Sequence, residues 1–162
     1  MFARVAYGEP EKVVNMADNI HLTVAAVVPR QGKYLLVRES RQQGYALNQP
    51  AGHVMPGECP ITAVKRETLE ETGWTVSPSA LLGFATYTAP GNGVTYYRFS
   101  FLCEALHHNH QLSIDPDITE VLWLDRRELL GAYPLRSPLV LDAIKQYESG
   151  LRYPLEFMRD YR

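Results

Sequence analysis

The segment that most constrains this chain runs from Gly52 to Trp74, where a stretch containing Gly and Pro leads into a short acidic helix pattern. Pro60 suits the first turn of a helix, and Gly73 suits the left-handed position beyond the last turn. The sequence therefore predicts a helix over residues 60–72. Helical spacing gives it a narrow core-facing stripe and an acidic flank beside it. The stripe is Ile61, Val64, Thr68 and Thr72, and the flank is Glu67, Glu70 and Glu71.

Three carboxylates within five residues of one helix point to a divalent-metal site. Positions 67 and 71 are one turn apart with 70 beside them, so the three carboxylates can converge on a small volume. Mg²⁺ and Mn²⁺ accept hard oxygen ligands and leave other positions to water or phosphate oxygens. The alternative is a solvated acidic flank, where like charges cost only about 0.2–0.5 kcal/mol per pair. Seven identities at fixed spacing favour the metal site, namely Gly52, Glu58, Arg66, Glu67, Glu70, Glu71 and Gly73.

This segment resembles the Nudix box, Gly-x5-Glu-x7-Arg-Glu-U-x-Glu-Glu-x-Gly-U, where U is a bulky apolar residue. All seven fixed positions match, while the first U is Thr68 and the second is Trp74. Further stretches (NQPAGH, APGNGVTYYRF, LRSPLV and SGLRYPLE) resemble the NudJ branch of that family. The resemblance covers roughly residues 20–158.

The resemblance implies an α/β (α+β) fold, a Nudix α/β/α sandwich with a mixed β-sheet between helices, for a single domain over residues 19–162. It also implies hydrolysis of phosphoanhydride bonds with Mg²⁺ or Mn²⁺ as cofactor. The substrate would be a nucleoside di- or triphosphate or a thiamine-precursor pyrophosphate. Two alternatives are a non-catalytic Nudix-fold module that senses a nucleotide sugar and an RNA-decapping enzyme. The intact acidic set argues against the first, and the balanced charge argues against the second.

The resemblance further implies roles for the residues of the box. Arg66 is expected to hold Glu67 in a bidentate ion pair, with Glu58 orienting Arg66 or the loop. The alternative for Glu58 is an ordinary carboxylate at a helix start. The implied metal ligands are the Gly52 carbonyl, Glu67, Glu70 and Glu71, and the implied catalytic residues in the box are Arg66, Glu67 and Glu70.

A further acidic residue outside the box is expected to serve as general base or extra metal ligand. The candidates are Asp115, Asp117 and Glu120, which precede Trp123. Comparison with the MutT and NudJ branches, anchored on Trp123, favours Asp117. The alternative is that these acids only turn the chain and stay in solvent.

Three residues outside the acidic helix are candidates for substrate binding. His53 follows Gly52 directly and can donate a hydrogen bond to phosphate, although a plain loop histidine fits equally well. In TYYRF, strand alternation places Tyr96 and Arg98 on one face. Tyr96 can then stack on a base while Arg98 contacts phosphate, unless that face packs into the core.

Histidines and cysteines elsewhere carry less chemistry. His107, His108 and His110 are predicted to lie in a polar turn after the hairpin and to bind no metal, because they lack a partner at recognisable spacing. Cys59 and Cys103 form no CxxC pair and no zinc spacing, so they are predicted to be free thiols in a reducing compartment.

The rest of the chain predicts strands interspersed with helices. A strand at Ile20–Val28 is expected to form a hairpin with residues 33–39. Residues 45–60 are rich in Gly and Pro and lead into the predicted helix. Segments 80–90 and 94–106 flank Gly91-Asn92-Gly93 as a long hairpin, and another strand is expected at 118–124. Helices are predicted from Asp125 and from Ser137-Pro138 to just before Gly150.

Charge and hydropathy exclude two broad classes of function. Sixteen Lys and Arg against 18 Asp and Glu leave a net charge of −2, so no basic field favours nucleic acid as a partner. No apolar run approaches the roughly 20 residues that cross a bilayer, and no signal core is visible, so a soluble cytoplasmic protein with no membrane partner is expected. The expected assembly is a monomer or homodimer. Residues 1–18 are an N-terminal arm that fits an ordered flap, a partner-binding arm or a loose terminus.

Overall fold

The computed structural model describes residues 19–132 and 134–162, so the predicted N-terminal arm lies outside the described residues. Eight strands and three helices occur in this part, with a 3-10 turn near the C-terminus. In chain order they are β1 (Ile20–Val27), β2 (Pro29–Arg30), β3 (Lys33–Ser40), β4 (Tyr45–Asn48), β5 (Ala51–His53), α1 (Pro60–Thr72), β6 (Trp74–Thr88), β7 (Thr95–His108), β8 (Ile118–Leu124), α2 (Arg126–Ala132), α3 (Leu139–Glu148) and the 3-10 turn (Leu155–Phe157).

The strands form two sheets. The first has the order β5-β1-β7-β6, in which β1 is antiparallel to β5 and parallel to β7, and β6 is antiparallel to β7. The second has the order β2-β3-β4, with β8 antiparallel to β3. The mixed sheet that the sequence predicted is therefore confirmed.

The core lies on both faces of β1. Val24 and Ala26 pack with Val64 of α1, whereas Val27, on the opposite face, packs with Ile144 of α3. Because alternate strand residues point to opposite faces, α1 and α3 cover the two sides of the sheet. Each fully buried aliphatic side chain contributes about 1.5–3 kcal/mol to stability. The predicted α/β/α sandwich is confirmed.

Helix α1 has the predicted bounds. Pro60 is its first residue, and Gly73 ends it with φ +74° while donating its backbone N–H to the carbonyl of Leu69. Added side chains at such a φ are strained, so the glycine fixes the point where the chain leaves the helix for β6. The position of α1 next to β5 and β1 brings its acidic flank to the edge of the first sheet.

Several other predicted elements are confirmed with shifted ends. The long hairpin is β6–β7, but β6 begins at Trp74, directly after α1. Strand β8 has the predicted bounds. Asp125 accepts the N–H of Glu128 and donates its own N–H to the Glu128 carboxylate, which starts α2. Helix α3 begins at Leu139, one residue later than predicted, and Ser137 Oγ accepts the Leu139 N–H.

The structure differs from the sequence expectations for strands and turns at three places. The hairpin around Gln31-Gly32 is present, but β3 pairs with β2 (Pro29–Arg30) and forms no ladder with β1, and the Leu35 N–H donates to the Val28 carbonyl at the end of the hairpin. Residues 45–60 contain β4 and β5, which are too short and too close to Gly and Pro to give an alternating pattern. His107 and His108 end strand β7 rather than lying in a turn.

Two further expectations concern the thiols and the membrane. Cys59 and Cys103 are free, as predicted, and burial raises the pKa of the Cys103 thiol to about 12. Among the helices of the described residues, none has the length and apolar character needed to cross a membrane.

Candidate active site

The backbone of β5 and the acidic flank of α1 meet at Gly52. A Cβ atom placed on Gly52 would lie 2.1 Å from the carboxylate carbon of Glu67 and 2.2 and 2.4 Å from its oxygens. A side chain at position 52 would therefore displace this carboxylate, which is the flexible end of Glu67. The contact brings the β5 main chain and the Glu67 carboxylate to one place.

Arg66 is the hub of an ion-pair network along α1. Its Nε and Nη2 atoms donate to the two oxygens of Glu58 at 2.8 and 2.9 Å. Its Nη1 atom donates to Glu67 Oε1 at 2.7 Å and to Glu70 Oε2 at 3.1 Å, and Nη2 also donates to the His53 carbonyl at 3.0 Å. The bidentate partner of Arg66 is thus Glu58, and the prediction of a bidentate pair with Glu67 is wrong.

Glu58 orients Arg66, which was one of its two predicted roles. The hydrogen bonds from Arg66 hold the pKa of Glu58 below its usual range. Glu58 Oε2 also accepts the N–H of Met55, so the carboxylate ties the loop before α1 to the helix. Like charges at positions 67 and 70 are offset by the guanidinium they share.

Glu71 is set apart from the other two glutamates by burial. Its residue is only 8% exposed, and its Oε2 accepts the backbone N–H of Ala51 at 3.0 Å. Burial, the larger effect, raises the pKa of Glu71 to about 9 despite that hydrogen bond. Burial also raises the pKa of Glu67, whereas the Glu70 side chain is half exposed.

The three carboxylates do not form a ready-made cluster. In the part of the chain that the structure describes, no three His, Cys, Asp or Glu side chains are grouped closely enough to hold a metal ion. Convergence of the three is therefore not observed, because Arg66 holds Glu67 and Glu70 while Glu71 turns to Ala51. The donor set nevertheless suits Mg²⁺ or Mn²⁺: every donor is a hard oxygen, and no cationic side chain among the described residues pairs with buried Glu71.

Asp117 lies at a small cavity beside Glu71. This cavity of about 270 Å³ is also lined by Asp115. Asp115 donates its N–H to the carbonyl of Glu70 at 2.8 Å and accepts the N–H of Asp117 at 2.8 Å, so the loop is tied to the end of α1. Glu120 does not line this cavity and instead pairs with Arg38 at 3.2 Å. The structure thus brings both Asp115 and Asp117, but not Glu120, near Glu71.

A larger cavity of about 480 Å³ lies on one face of the first sheet and contains all three predicted substrate contacts. Thr23 of β1 is paired with His53 on one side and with Arg98 on the other, so these residues form one row across three strands. Tyr96 lies two residues from Arg98 and lines the same cavity, as the predicted alternation requires. Gly52 also lines it, which connects the cavity to the acidic helix.

The sequence did not single out several residues of this site. His21 lies 2.6 Å from the His53 ring, Nδ1 to Nε2, and its ring is 5.3 Å from that of Tyr96. Burial, followed by the proximity of His21, lowers the pKa of His53. The other cavity residues that were missed are Glu39, Arg41, Asn48, Tyr87 and Arg136. Asn48 and Arg136 had a signal, since they belong to the NQPAGH and LRSPLV stretches that supported the resemblance.

The remaining histidines lie apart from this site. His108 Nε2 is 3.1 Å from the Thr72 carbonyl oxygen, and His108 and His110 are in contact through their rings. Together with Trp74 they line a separate cavity.

Comparison with known proteins gives consistent similarities. A sequence model of the NUDIX domain matches residues 19–145. The chain is 39% identical over 141 residues to Phosphatase NudJ of Escherichia coli (strain K12) and of Shigella flexneri, covering 87% of this chain and 92% of each relative. A NUDIX hydrolase structure from Nitrosomonas europaea is 41% identical, with a TM-score of 0.84 over 87% of this chain and 97% of that one. A MutT NUDIX hydrolase from Burkholderia pseudomallei, 23% identical with a TM-score of 0.67 over 78% of this chain and 97% of that one, shares the fold.

Proposed function

This chain belongs to the Nudix hydrolase family, whose members act on phosphoanhydride bonds, and on that premise we propose that it hydrolyses nucleoside di- or triphosphates or a thiamine-precursor pyrophosphate with Mg²⁺ or Mn²⁺. The observation that carries the proposal is the shared cavity. Gly52, which contacts Glu67 of the acidic helix, lines the same 480 Å³ space as Arg98 and Tyr96. A phosphate chain held there lies next to the acidic helix.

In this proposal the metal ligands are Glu67, Glu70, Glu71 and the Gly52 carbonyl. Nudix hydrolases generally use a divalent metal, which neutralises phosphate charge and makes hydroxide available from bound water. Arg66 is a positioning residue, because it fixes one oxygen of Glu67 and one of Glu70 through a single nitrogen. It also prevents those two carboxylates from separating when the site is empty.

Asp117 is the proposed acceptor of the proton from the attacking water. Its loop is anchored to the carbonyl of Glu70 through Asp115, which keeps the carboxylate near the end of α1. It lines the cavity that contains Glu71, which supports a role for Asp117 beside this proposed metal ligand. A positioned carboxylate of this kind accelerates water attack by taking up the proton as the bond forms.

The organic part of the substrate is proposed to rest against Tyr96. This ring and that of Tyr87 belong to residues paired across the β6–β7 hairpin, and both line the cavity. His53, supported by His21, is proposed to donate a hydrogen bond to phosphate, and Arg98 to contact a phosphate oxygen. Aromatic walls with a few polar groups are typical of small-molecule sites.

The test is release of inorganic phosphate from a panel of nucleoside di- and triphosphates and a thiamine-precursor pyrophosphate. Each is assayed with Mg²⁺, with Mn²⁺ and with excess chelator. We expect turnover of at least one class with metal and background rates with chelator. Tight binding of a nucleotide sugar without turnover of any compound in the panel would instead support the non-catalytic alternative and overturn the proposal.

A further inference from the structure

An arginine with two unpaired guanidinium nitrogens among the described residues lies in the 480 Å³ cavity. Arg98 is only 7% exposed, and its Nε and Nη1 atoms have no hydrogen-bond partner within the described ranges 19–132 and 134–162. Buried charges in proteins are normally paired, because desolvating a cation without compensation is costly. Burial accordingly lowers the pKa of Arg98 to about 10. Since Arg98 lines the cavity, an anion that enters it can compensate the charge of this buried guanidinium.

A second arginine lines the same cavity and leaves the positive charge in excess. Arg136 Nε donates to Glu39 Oε2 at 3.1 Å. The other oxygen of Glu39 accepts the side-chain N–H of Asn48 at 2.8 Å. Glu39 therefore already has a partner on each oxygen, and it is the one carboxylate among the described residues that line this cavity, while the nearby Glu71 belongs to the smaller cavity. Arg41 adds a further positive charge to the cavity lining.

Both arginines are held by hydrogen-bonded backbone. Arg98 lies within β7, between β1 and β6, opposite Thr23 and Ala85. The backbone N–H of Arg136 donates to the Leu47 carbonyl at 2.8 Å, and the Leu47 N–H donates to the Pro134 carbonyl at 2.9 Å. The backbone of both arginines is thus fixed before a ligand arrives, which reduces the entropy lost on binding.

Arg98 is separated from the part of β5 that meets the acidic helix. His53, Thr23 and Arg98 occupy one row across β5, β1 and β7. Two strand spacings separate the β5 and β7 backbones by about 10 Å, and the long Arg98 side chain acts from the far end of that row. A phosphate at Arg98 is therefore distinct from one at Gly52, yet both lie along one cavity.

We propose that Arg98 and Arg136 form an anion subsite that binds a phosphate group of the substrate and, separately, inorganic phosphate. The substrate part of this inference rests on the proposed function, whereas the binding of inorganic phosphate does not. The excess positive charge matches a phosphate dianion, and the rigid planar groups of arginine match its oxygens better than the single ammonium of lysine. The subsite thus makes the enzyme select for a charged phosphate and makes free phosphate a competitive inhibitor.

The first experiment measures stabilisation by inorganic phosphate in the absence of substrate. The wild-type Tm is expected to rise with millimolar phosphate, and the rise is expected to vanish in Arg98→Gln and to shrink in Arg136→Gln. Arg127→Gln, which alters an exposed arginine of α2, is the matched control and should retain the full rise. Equal rises in wild type, Arg98→Gln and Arg136→Gln overturn the subsite, as does no rise in wild type.

The second experiment measures kinetics with a nucleoside diphosphate. Arg98→Gln is expected to raise KM and the phosphate inhibition constant at least tenfold, with a smaller change in kcat, while Arg98→Lys recovers only part of the affinity. Arg136→Gln provides the same test if Arg98→Gln does not fold. If KM and the phosphate inhibition constant of the folded variants both stay within twofold of the wild-type values, the subsite is overturned. A wild type that binds phosphate but hydrolyses nothing would refute the proposed function and leave the subsite intact.

Discussion

At the scale of single residues, Glu71 combines burial with a functional charge. In metal-free protein its carboxyl keeps a proton up to a pKa of about 9, whereas the unfolded chain releases it near its ordinary value of 4.5. The stability linked to that proton is fully present below pH 4.5 and is lost as pH rises through about 9. Glu71→Gln keeps the hydrogen bond from Ala51 and does not titrate.

With chelator present, Glu71→Gln is therefore expected to gain in Tm relative to wild type as pH rises from 5 to 8. The measurement is thermal unfolding of both proteins across that range, with Glu120→Gln as control because Glu120 is exposed and paired with Arg38. A difference in Tm between the two proteins that stays constant with pH would contradict the argument.

With Mg²⁺ and substrate, Glu71→Gln is expected to lose turnover by a factor of about 100 or more.

Asp117 provides a second residue-scale prediction. Asp117→Asn removes the proposed proton acceptor while keeping its size, so kcat should fall by about 100-fold or more with little change in KM. Asp115→Asn, in the same cavity, tests whether its neighbour serves instead, and Glu120→Gln should remain near wild type. A larger loss in Asp115→Asn than in Asp117→Asn would reassign the role.

The sequence predicted which box residues would lie together, but not how they pair. Glu58, Arg66, Glu67 and Glu70 do form one network, as the spacing indicated. The bidentate partner was misassigned because Glu58 reaches Arg66 from the loop before α1, and loop side-chain geometry is not encoded in helical periodicity. Arg98 was placed on the correct face by alternation, but its lack of a partner depends on residues distant in sequence.

At the scale of secondary structure, the approach of β5 to α1 depends on Gly52. Gly52→Ala would push the Glu67 carboxylate, which is the flexible end of its side chain, away from β5, so we expect at least tenfold weaker metal binding with little change in the free energy of unfolding. Gly91→Ala is the matched control, since a Cβ there meets no atom within 4 Å. Titration of both variants with Mn²⁺ provides the check, and equal metal affinity of the two would disprove the close approach.

The sequence predicted the helix whose ends are marked by particular residues, and it missed the short strands that form only because they pair with other strands. Helix α1 was predicted with its bounds because Pro60 and Gly73 mark its ends. Strands β4 and β5 were missed because they have four and three residues and flank Gln49-Pro50. Such short strands owe their existence to pairing with β3 and β1 rather than to their own residues.

At the scale of the whole molecule, the site depends on contacts between distant parts of the chain. Strand β1 pairs in parallel with β7, about 75 residues later, and this pairing places Arg98 in one row with His53. The predicted class, a mixed sheet between helices, is confirmed, but a hairpin was expected for β1 because adjacent strands usually pair. Parallel pairing between such distant segments leaves no local sequence signal.

The central claim is that the acidic flank of α1 and Gly52 bind a divalent metal that the reaction requires. Its most direct test is titration of the substrate-free protein with Mn²⁺, following free Mn²⁺ by electron paramagnetic resonance. We expect saturable uptake by wild type, uptake at least tenfold weaker in Glu67→Gln and Glu71→Gln, and wild-type uptake in Glu120→Gln. Equal uptake by all four proteins, or none by wild type, would contradict a metal site on this helix.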